Sequence, residues 1–510
     1  MLSHRQLLER NLEWRPNETA LVDLPSNQTY TYEEFDSEVN KLANALRDRG
    51  LRKGDRVAMV LYNTLEFPVM LYAIYKVGAV PIPANYMLAQ DNFKYIFDDV
   101  NPEFVVYDAD VGEKVEGAIE EAVRTPDKIC VGDEPADGES YDVVRSSGTA
   151  KTPPEIPMNP GDVAYILYTS GTTGAPKGVT FSGKTAFNRA QEGMLDLGLS
   201  QDSVALQVSP WFHAGGIDLT IHPTICAGGT ILVTRDWEPE PVAALIEDRG
   251  ITHIVGVPTV AQRIANMDDV DQRDFSSLEC MMCMGSPLSE QLANNLLENL
   301  TPNIYNGYGT TETLLDSTLG SENLPEQAGT VGRASPDKQV RVVEFDQERD
   351  VQPHEVVPAG EEGEVIVSGG AVLDYYFGNQ EATDESLRRG WYYTGDLGVR
   401  SVDGFLTITG RADDMILSGG ELVSPIEVEE TLEQHEAVEA AAVVGESDEE
   451  WGQVVKAYVA TDGTVDKGEL ETFCKEHTGL ADYKRPRVYE LVDELARTAT
   501  GKKQRYKYRA

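Results

Sequence analysis

Residues 168–179 read YTSGTTGAPKGV, which sets Thr169, Ser170, Thr172 and Thr173 among Gly171, Gly174 and Gly178, with Lys177 near the end. Hydroxyl groups and exposed backbone N–H groups on such a loop form a cradle for phosphate oxygens, and one ammonium balances their charge. The segment is not a P-loop. The pattern G-x-x-x-x-G-K-[ST] needs Gly before the lysine and Ser or Thr after it, whereas Pro176 and Gly178 stand there. Pro176 also discourages the loop from winding straight into a helix. Upstream, Asp162-Val163-Ala164-Tyr165-Ile166-Leu167 is a short apolar run typical of a buried strand, so the loop leaves a strand end. A Gly/Ser/Thr surface linker shares this composition, and only the company the loop keeps along the chain separates the two readings.

The elements around the loop alternate. Arg56–Leu61 is patterned as a strand, Leu65–Lys76 as an amphipathic helix, Ala79–Pro83 as a strand and Gln90–Asp98 as a helix. The rhythm returns at Val204–Val208, Thr230–Val233 and Ile251–Val255. Strands spaced by helix-length segments predict parallel sheets covered by helices. From about Val340 the pattern shifts to short strands with tight turns, such as Gly363–Gly369, which suit a small β-barrel. After Gly410 a short βαβ-like tail begins. The expected fold is therefore α/β: two helix-covered, mainly parallel sheets and a small β-barrel, followed by a small α+β unit.

Four further blocks follow the loop in order: Asn306-Gly307-Tyr308-Gly309-Thr310-Thr311-Glu312, Tyr392-Tyr393-Thr394-Gly395-Asp396-Leu397, the run from Gly410-Arg411 through Asp413 to Gly419-Gly420-Glu421, and Thr498-Ala499-Thr500-Gly501-Lys502. Together with residues 168–179 and Thr29–Phe35 they resemble the AMP-forming adenylating enzymes, the family of acyl-CoA synthetases, luciferases and amino-acid adenylation domains. The resemblance covers nearly the whole chain. It implies a carboxylate activated by MgATP to an acyl-adenylate, then passed to a thiol, with ATP, Mg2+ and CoA as cofactor and co-substrates. It also implies a large domain over residues 1–412 and a mobile cap over 413–510, turning about Asp413.

The same resemblance distributes the site. Thr169 to Gly174 and Lys177 would take phosphates. Tyr308 would face the adenine, since a flat ring between Gly307 and Gly309 is open to close approach; Asn306 belongs to the same block, and Gly285-Ser286-Pro287 would form the opposite wall. Glu312 would hold Mg2+, a hard cation that prefers carboxylate oxygen, and Thr311 would donate to a phosphate. Asp396 can accept from both ribose hydroxyls, and Arg411 would lie close to ribose and phosphate. Gly419 and Gly420 would line a tunnel too narrow for a side chain beside the pantetheine arm. Lys502 would bridge the substrate carboxylate and the α-phosphate, where charge grows in the transition state. Tyr483–Arg509 carries nine Lys or Arg against three acidic residues, and Arg485 and Arg487 are candidates for CoA phosphates.

Charge narrows the setting. The 86 Asp plus Glu against 43 Lys plus Arg leave a net −43 and a pI near 4.4. Such a surface repels itself in low salt and suits a high-salt, halophilic cytoplasm. It argues against nucleic acid as a partner. The amino terminus Met1-Leu2-Ser3-His4-Arg5-Gln6 has no apolar signal region, so a cytoplasmic location is expected. The apolar stretch Phe67–Ala84 is interrupted by Lys76, Gly78, Pro81 and Pro83, so no membrane span is expected. Five cysteines argue against a disulfide framework, and Cys280 and Cys283 sit in a run that reads as a buried strand rather than a metal or redox pair.

Trp211-Phe212-His213-Ala214-Gly215-Gly216 resembles the family's acyl-site block. Amino-acid-activating relatives place Asp where His213 stands, so an amino acid is disfavoured. Trp211 and His213 suit an apolar fatty or aromatic acid, and Gly215 with its small neighbours leaves room for it. An acyl-CoA synthetase of fatty or aromatic acids is the expected function. Two alternatives stay open: a fatty-acyl-AMP ligase that loads a carrier protein, and a non-catalytic nucleotide-binding regulator. A homo-oligomer is also open.

Overall fold

The apolar runs separated by helix-length segments become parallel sheets in the computed structural model, which describes residues 2–132, 138–169, 176–208, 210–235, 237–286, 288–346, 349–412, 414–418, 421–448, 452–477, 480, 484–497 and 503–508. The chain divides into two units. One comprises Met1–Gly329, Ala334–Gln339 and Ser368–Tyr392; the other comprises Thr330–Arg333, Val340–Val367 and Tyr393–Ala510.

In the first unit one sheet runs Val80–Pro83, Arg56–Val60, Phe104–Asp108, Asp127–Val131 and Glu139–Ser140, all parallel. The helix Glu66–Val77 is buried along almost its whole length, which explains the long apolar stretch as core. Among the described residues no helix is long and apolar enough to cross a membrane. A second sheet places Ile304–Tyr308, Cys280–Met284, His253–Gly256, Val204–Gln207, Thr230–Val233 and Thr19–Asp23 side by side and parallel. Antiparallel strands Ser317–Leu319 and Thr29–Thr31 flank them. Cys280 and Cys283 are core residues of this sheet, and burial pushes the Cys283 thiol up to about 12 and the Cys280 thiol higher still. The Thr29–Phe35 block is a strand-to-helix turn. Thr31 Oγ1 accepts from the Glu34 amide at 3.2 Å, while Glu34 Oε2 accepts from the Thr31 amide at 2.8 Å, a capping box that starts the helix Tyr32–Asp48.

A third, antiparallel sheet of Val163–Thr169, Lys177–Ser182 and Tyr375–Tyr376 carries the phosphate-type loop. Its first two strands form a hairpin in which Thr169 faces Lys177 and Tyr168 faces Gly178. After Pro176 the chain returns as a strand, and only then, at Ser182, does the helix Gly183–Asp196 begin. Ser182 Oγ caps that helix by accepting from the Thr185 amide at 3.3 Å.

The second unit holds the short strands expected after Val340. Trp391–Arg400 pairs antiparallel with Leu406–Arg411, with Asp396 opposite Arg411. A further sheet orders Glu421–Val423, Ile416–Ser418, Gly452–Thr461 and Val438–Asp448, with Val488–Val492 on Gly452–Thr461. Helices Pro425–Leu432 and Lys467–Glu476 belong with it. Position 412, the expected boundary, falls within this second unit, and the Ser424 hydroxyl donates to the Thr409 carbonyl at 2.7 Å across it.

Candidate active site

Parallel pairing gives the second sheet of the first unit one carboxyl edge. Val204–Gln207, His253–Gly256, Cys280–Met284 and Ile304–Tyr308 all point the same way, so the segments after them leave together. Those segments carry Trp211 to Gly216, Gly285 with Ser286, and Tyr308 to Glu312. Crevices outside the carboxyl ends of such strands are where α/β folds bind ligands. Met284 is in register with Gly307, which sets Gly285 and Tyr308 next to each other at adjacent strand ends. Gly285 turns the chain with φ +88°, and it and Ser286 are exposed, while Tyr308 is half-buried. The two walls expected for an adenine slot are thus brought side by side, although Pro287 lies outside the described residues.

The glycines around Tyr308 also answer a need of the fold itself. A Cβ on Gly309 would stand 1.7 Å from the Leu314 carbonyl oxygen, and one on Gly307 would stand 2.8 Å from Leu315 Cδ2. They let the 309–315 loop close on itself. The loop returns through a bond from the Asp316 amide to the Tyr308 carbonyl at 2.8 Å. The Asn306 side chain is buried in the sheet behind it.

Lys177 and Glu312, 135 positions apart in the sequence, are joined by a residue that sequence reading passed over. Tyr376, on the strand opposite Val179, places its ring 5.2 Å from Lys177 Nζ. Its hydroxyl donates to Glu312 Oε1 at 2.9 Å and lies 3.2 Å from the Tyr392 hydroxyl. Burial, and then the Glu312 carboxylate, push the Tyr376 phenol well above its ordinary value, so it stays a neutral donor. Glu312 is largely buried, and its second oxygen accepts no hydrogen bond among the described residues. One committed and one uncommitted carboxylate oxygen fit a hard divalent cation. Thr169 Oγ1 lies 3.5 Å from the Lys177 carbonyl oxygen. Ser170, Gly171, Thr172, Thr173 and Gly174 lie outside the described residues. Tyr376 had no sequence signal of its own; only its place opposite the hairpin reveals it.

The acyl block divides in two. Trp211 is wholly buried, its ring 5.3 Å from Phe67 and its amide bonded to Asn63 Oδ1 at 3.0 Å. In this structure it packs in the core beside Phe67. Gly216 is also structural, since a Cβ there would stand 2.4 Å from the Pro210 carbonyl oxygen. At Gly215 a Cβ would meet nothing within 4 Å among the described residues. His213 is half-buried with its ring 4.3 Å from Phe212. Phe212 meets Tyr86 edge-on at 5.1 Å, and Tyr86 meets Tyr62 at 4.3 Å.

The Tyr62 amide donates to Asp108, whose carboxyl burial raises from 3.8 to about 6 against the pull of that bond. Because the folded value is the higher one, the stabilising contribution of Asp108 is complete below the unfolded value of 3.8 and is lost as pH rises through about 6. Asp108→Asn is therefore expected to raise Tm at pH 8, by at most about 3 kcal/mol of stability, and to lose that advantage at pH 4. Equal Tm shifts at the two pH values in thermal melts would exclude this role.

In the second unit Asp396 and Arg411 face each other across paired strands. Arg411 Nη1 lies 3.0 Å from Asp396 Oδ1 and donates to the Thr394 carbonyl at 3.2 Å. Gly395 holds φ +69° beneath them, where a Cβ would stand 3.2 Å from Arg411 Nη2. The basic tail carries more structure than its charge alone suggested. Lys484 pairs with Glu427 at 2.7 Å, Lys503 with Glu429 at 2.9 Å and Glu433 at 2.8 Å, and Arg505 with Glu429 at 2.6 Å and Asp414 at 3.2 Å. The helix Pro425–Leu432 thus answers much of the tail's charge within the unit. Arg485 reaches Glu471 at 3.4 Å, and the Arg487 amide bonds to the Val455 carbonyl at 2.8 Å. Asp413, Gly419, Gly420 and Lys502 lie outside the described residues.

The model of the AMP-binding enzyme family matches residues 8–377, and that of the AMP-binding enzyme C-terminal domain matches 427–502. The chain belongs to the AMP-binding enzyme family. It is 34% identical over 498 residues to a feruloyl-CoA synthase of Amycolatopsis sp, covering 97% of this chain and 96% of the relative. Among solved structures it is similar to o-succinylbenzoate CoA synthetase from Bacillus subtilis in complex with the acyl-adenylate intermediate, with a TM-score of 0.86, 29% identity, and coverage of 98% of this chain and 97% of that one. A structure of the Bacillus subtilis synthetase in complex with ATP and magnesium ion matches with a TM-score of 0.85 and 29% identity over 98% of both chains. Family membership and the carboxyl-edge geometry of the first unit point to the same class of chemistry.

Proposed function

We propose that this chain is an AMP-forming acyl-CoA synthetase acting on an aromatic acid. It joins a carboxylic acid to ATP with release of diphosphate, and then moves the acyl group from the adenylate to CoA with release of AMP. The carboxylate attacks the α-phosphorus in line while the bond to the diphosphate breaks, so no covalent enzyme intermediate is needed. Positioning and charge stabilisation supply the rate. The observation that carries this reading is the convergence of Lys177, Tyr376 and Glu312 beside the hairpin, a cation and a carboxylate held on one phenol.

In this reading Lys177 and the 169–174 loop take phosphate oxygens, Thr311 donates to a phosphate, and Glu312 holds Mg2+, which neutralises charge on the phosphates. Tyr308 and Gly285-Ser286-Pro287 take the adenine, and Asp396 with Arg411 takes the ribose. Lys502 stabilises the adenylation transition state, Asp413 is the hinge of a cap over 413–510, Gly419 and Gly420 admit the thiol arm, and Arg485 and Arg487 meet CoA phosphates. The aromatic stack Tyr62, Tyr86, Phe212 and His213, with the space at Gly215, supports an aryl acid. The feruloyl and o-succinylbenzoate groups in the relatives' names support the same class.

The net charge of −43 supports a salt-rich cytoplasm as the working medium, so activity is expected to rise several-fold from low salt to molar KCl. Loss of activity over that range, measured by AMP release, would oppose it. The test of function is a panel of aryl and fatty acids with ATP and CoA in molar KCl, scored for AMP and the CoA thioester. An aryl acid giving both products supports the proposal. ADP as product, or no nucleotide turnover with any acid, would overturn it.

A further inference from the structure

Arg189 and Glu192 lie three residues apart on the helix Gly183–Asp196, hence on one face, and both side chains are almost fully buried. Charges in such a place demand partners. Arg189 Nη2 pairs with Asp218 Oδ2 at 2.8 Å, and Glu192 Oε2 pairs with Lys338 Nζ at 3.0 Å. Three of their further bonds go to the backbone of a single loop. Arg189 Nη2 also donates to the Thr311 carbonyl at 3.1 Å, Lys338 Nζ donates to the Thr313 carbonyl, and the Leu315 amide donates to Glu192 Oε1 at 3.2 Å. Thr311, Thr313 and Leu315 are thus each held by a buried charged group.

Two further observations show that this loop needs holding and that the grip extends to its partner. Leu314 has φ +74°, a left-handed conformation that a side-chain-bearing residue keeps only where its surroundings impose it. Arg189 Nη1 donates to the Ala371 carbonyl at 2.9 Å, and the Leu373 amide donates to the Glu312 carbonyl at 2.7 Å, at the start of the segment that brings in Tyr376. Arg189 also lies 4.1 Å from the ring centre of Phe181 on the hairpin strand.

We propose that Arg189, Glu192 and Lys338 are positioning residues that lock the 311–315 loop, and with it the Glu312 carboxylate, against the helix that follows the phosphate hairpin. None of the three touches substrate in this role; they set where Glu312 stands relative to Tyr376 and Lys177. The inference rests on the reading of Glu312 as the Mg2+ residue.

Two variants test it. Arg189→Lys keeps a cation for Asp218 but loses the fork that reaches both Thr311 and Ala371. The double change Glu192→Gln with Lys338→Met removes the pair together, so neither of its members is left as a lone buried charge. In either variant the Mg2+ concentration for half-maximal adenylation is expected to rise about 10-fold or more. KM for the acid, and thiolation of supplied acyl-adenylate, should change less than about 2-fold. Hydrogen exchange of peptides spanning 309–316 should quicken while the rest of the first unit keeps its protection. A folded variant with unaltered Mg2+ dependence and unaltered exchange would overturn the proposal, as would loss of fold in both variants, which would assign the cluster to general stability. Glu312→Gln run in parallel separates the two readings. If it leaves the Mg2+ dependence unchanged, the metal reading itself falls and the positioning role falls with it. If it shifts that dependence while the positioning variants do not, only the positioning role falls.

Discussion

Lys502→Ala is expected to lower acid-dependent ATP–pyrophosphate exchange by roughly 10²–10³, the scale of losing one placed donor at a developing charge. Negative charge grows on the α-phosphate and the attacking carboxylate as the bond forms, and an ammonium held there stabilises the transition state more than the ground state. Thioester formation from supplied acyl-adenylate proceeds after that charge has been relieved, so it should survive. Equal loss of both half-reactions would remove Lys502 from the adenylation step. The neighbouring Lys503 is the control. It is bound to Glu429 and Glu433 within its own unit, so Lys503→Ala should lower Tm with little effect on exchange; Arg505 remains on the buried Glu429 and limits the cost.

Glu312→Gln is expected to produce the other large effect, a fall in adenylation of about 10²-fold or more with a raised Mg2+ requirement. The glutamine amide oxygen can still accept from Tyr376, so the loop and the phenol keep their places while the charge is lost. Tyr376→Phe should cost less, about 10-fold, because it frees the carboxylate without removing it. Rates measured across a Mg2+ titration distinguish the two. Near-normal Mg2+ dependence in Glu312→Gln would end its assignment to the metal.

The aromatic stack bears on specificity differently from the sequence reading. Trp211 was the most conspicuous residue of the acyl block, yet it is wholly buried against Phe67, whereas Tyr62 and Tyr86 extend the half-buried His213 through Phe212. Their positions in the sequence lie more than a hundred residues upstream of His213. Nothing in local periodicity connects them, because the contact is made between the loops of two separate sheets.

Local sequence by itself determined the alternation of strands and helices at Arg56–Leu61, Leu65–Lys76, Ala79–Pro83 and Gln90–Asp98, the absence of a helix directly after Pro176, the buried Cys280–Met284 strand and the order of the blocks that mark the family. Each of these depends on neighbours within a few residues: apolar period, a capping box, a proline without an amide donor. Tertiary structure decided which residues from distant blocks meet. Tyr376 joins Lys177 to Glu312, Arg189 and Glu192 grip the 311–315 loop, and Gly307 and Gly309 serve that loop's closure. These contacts of Tyr376, Arg189 and Glu192 follow from strand register and helix facing across 64 to 199 positions, and a buried charge finds its partner through the fold rather than along the chain.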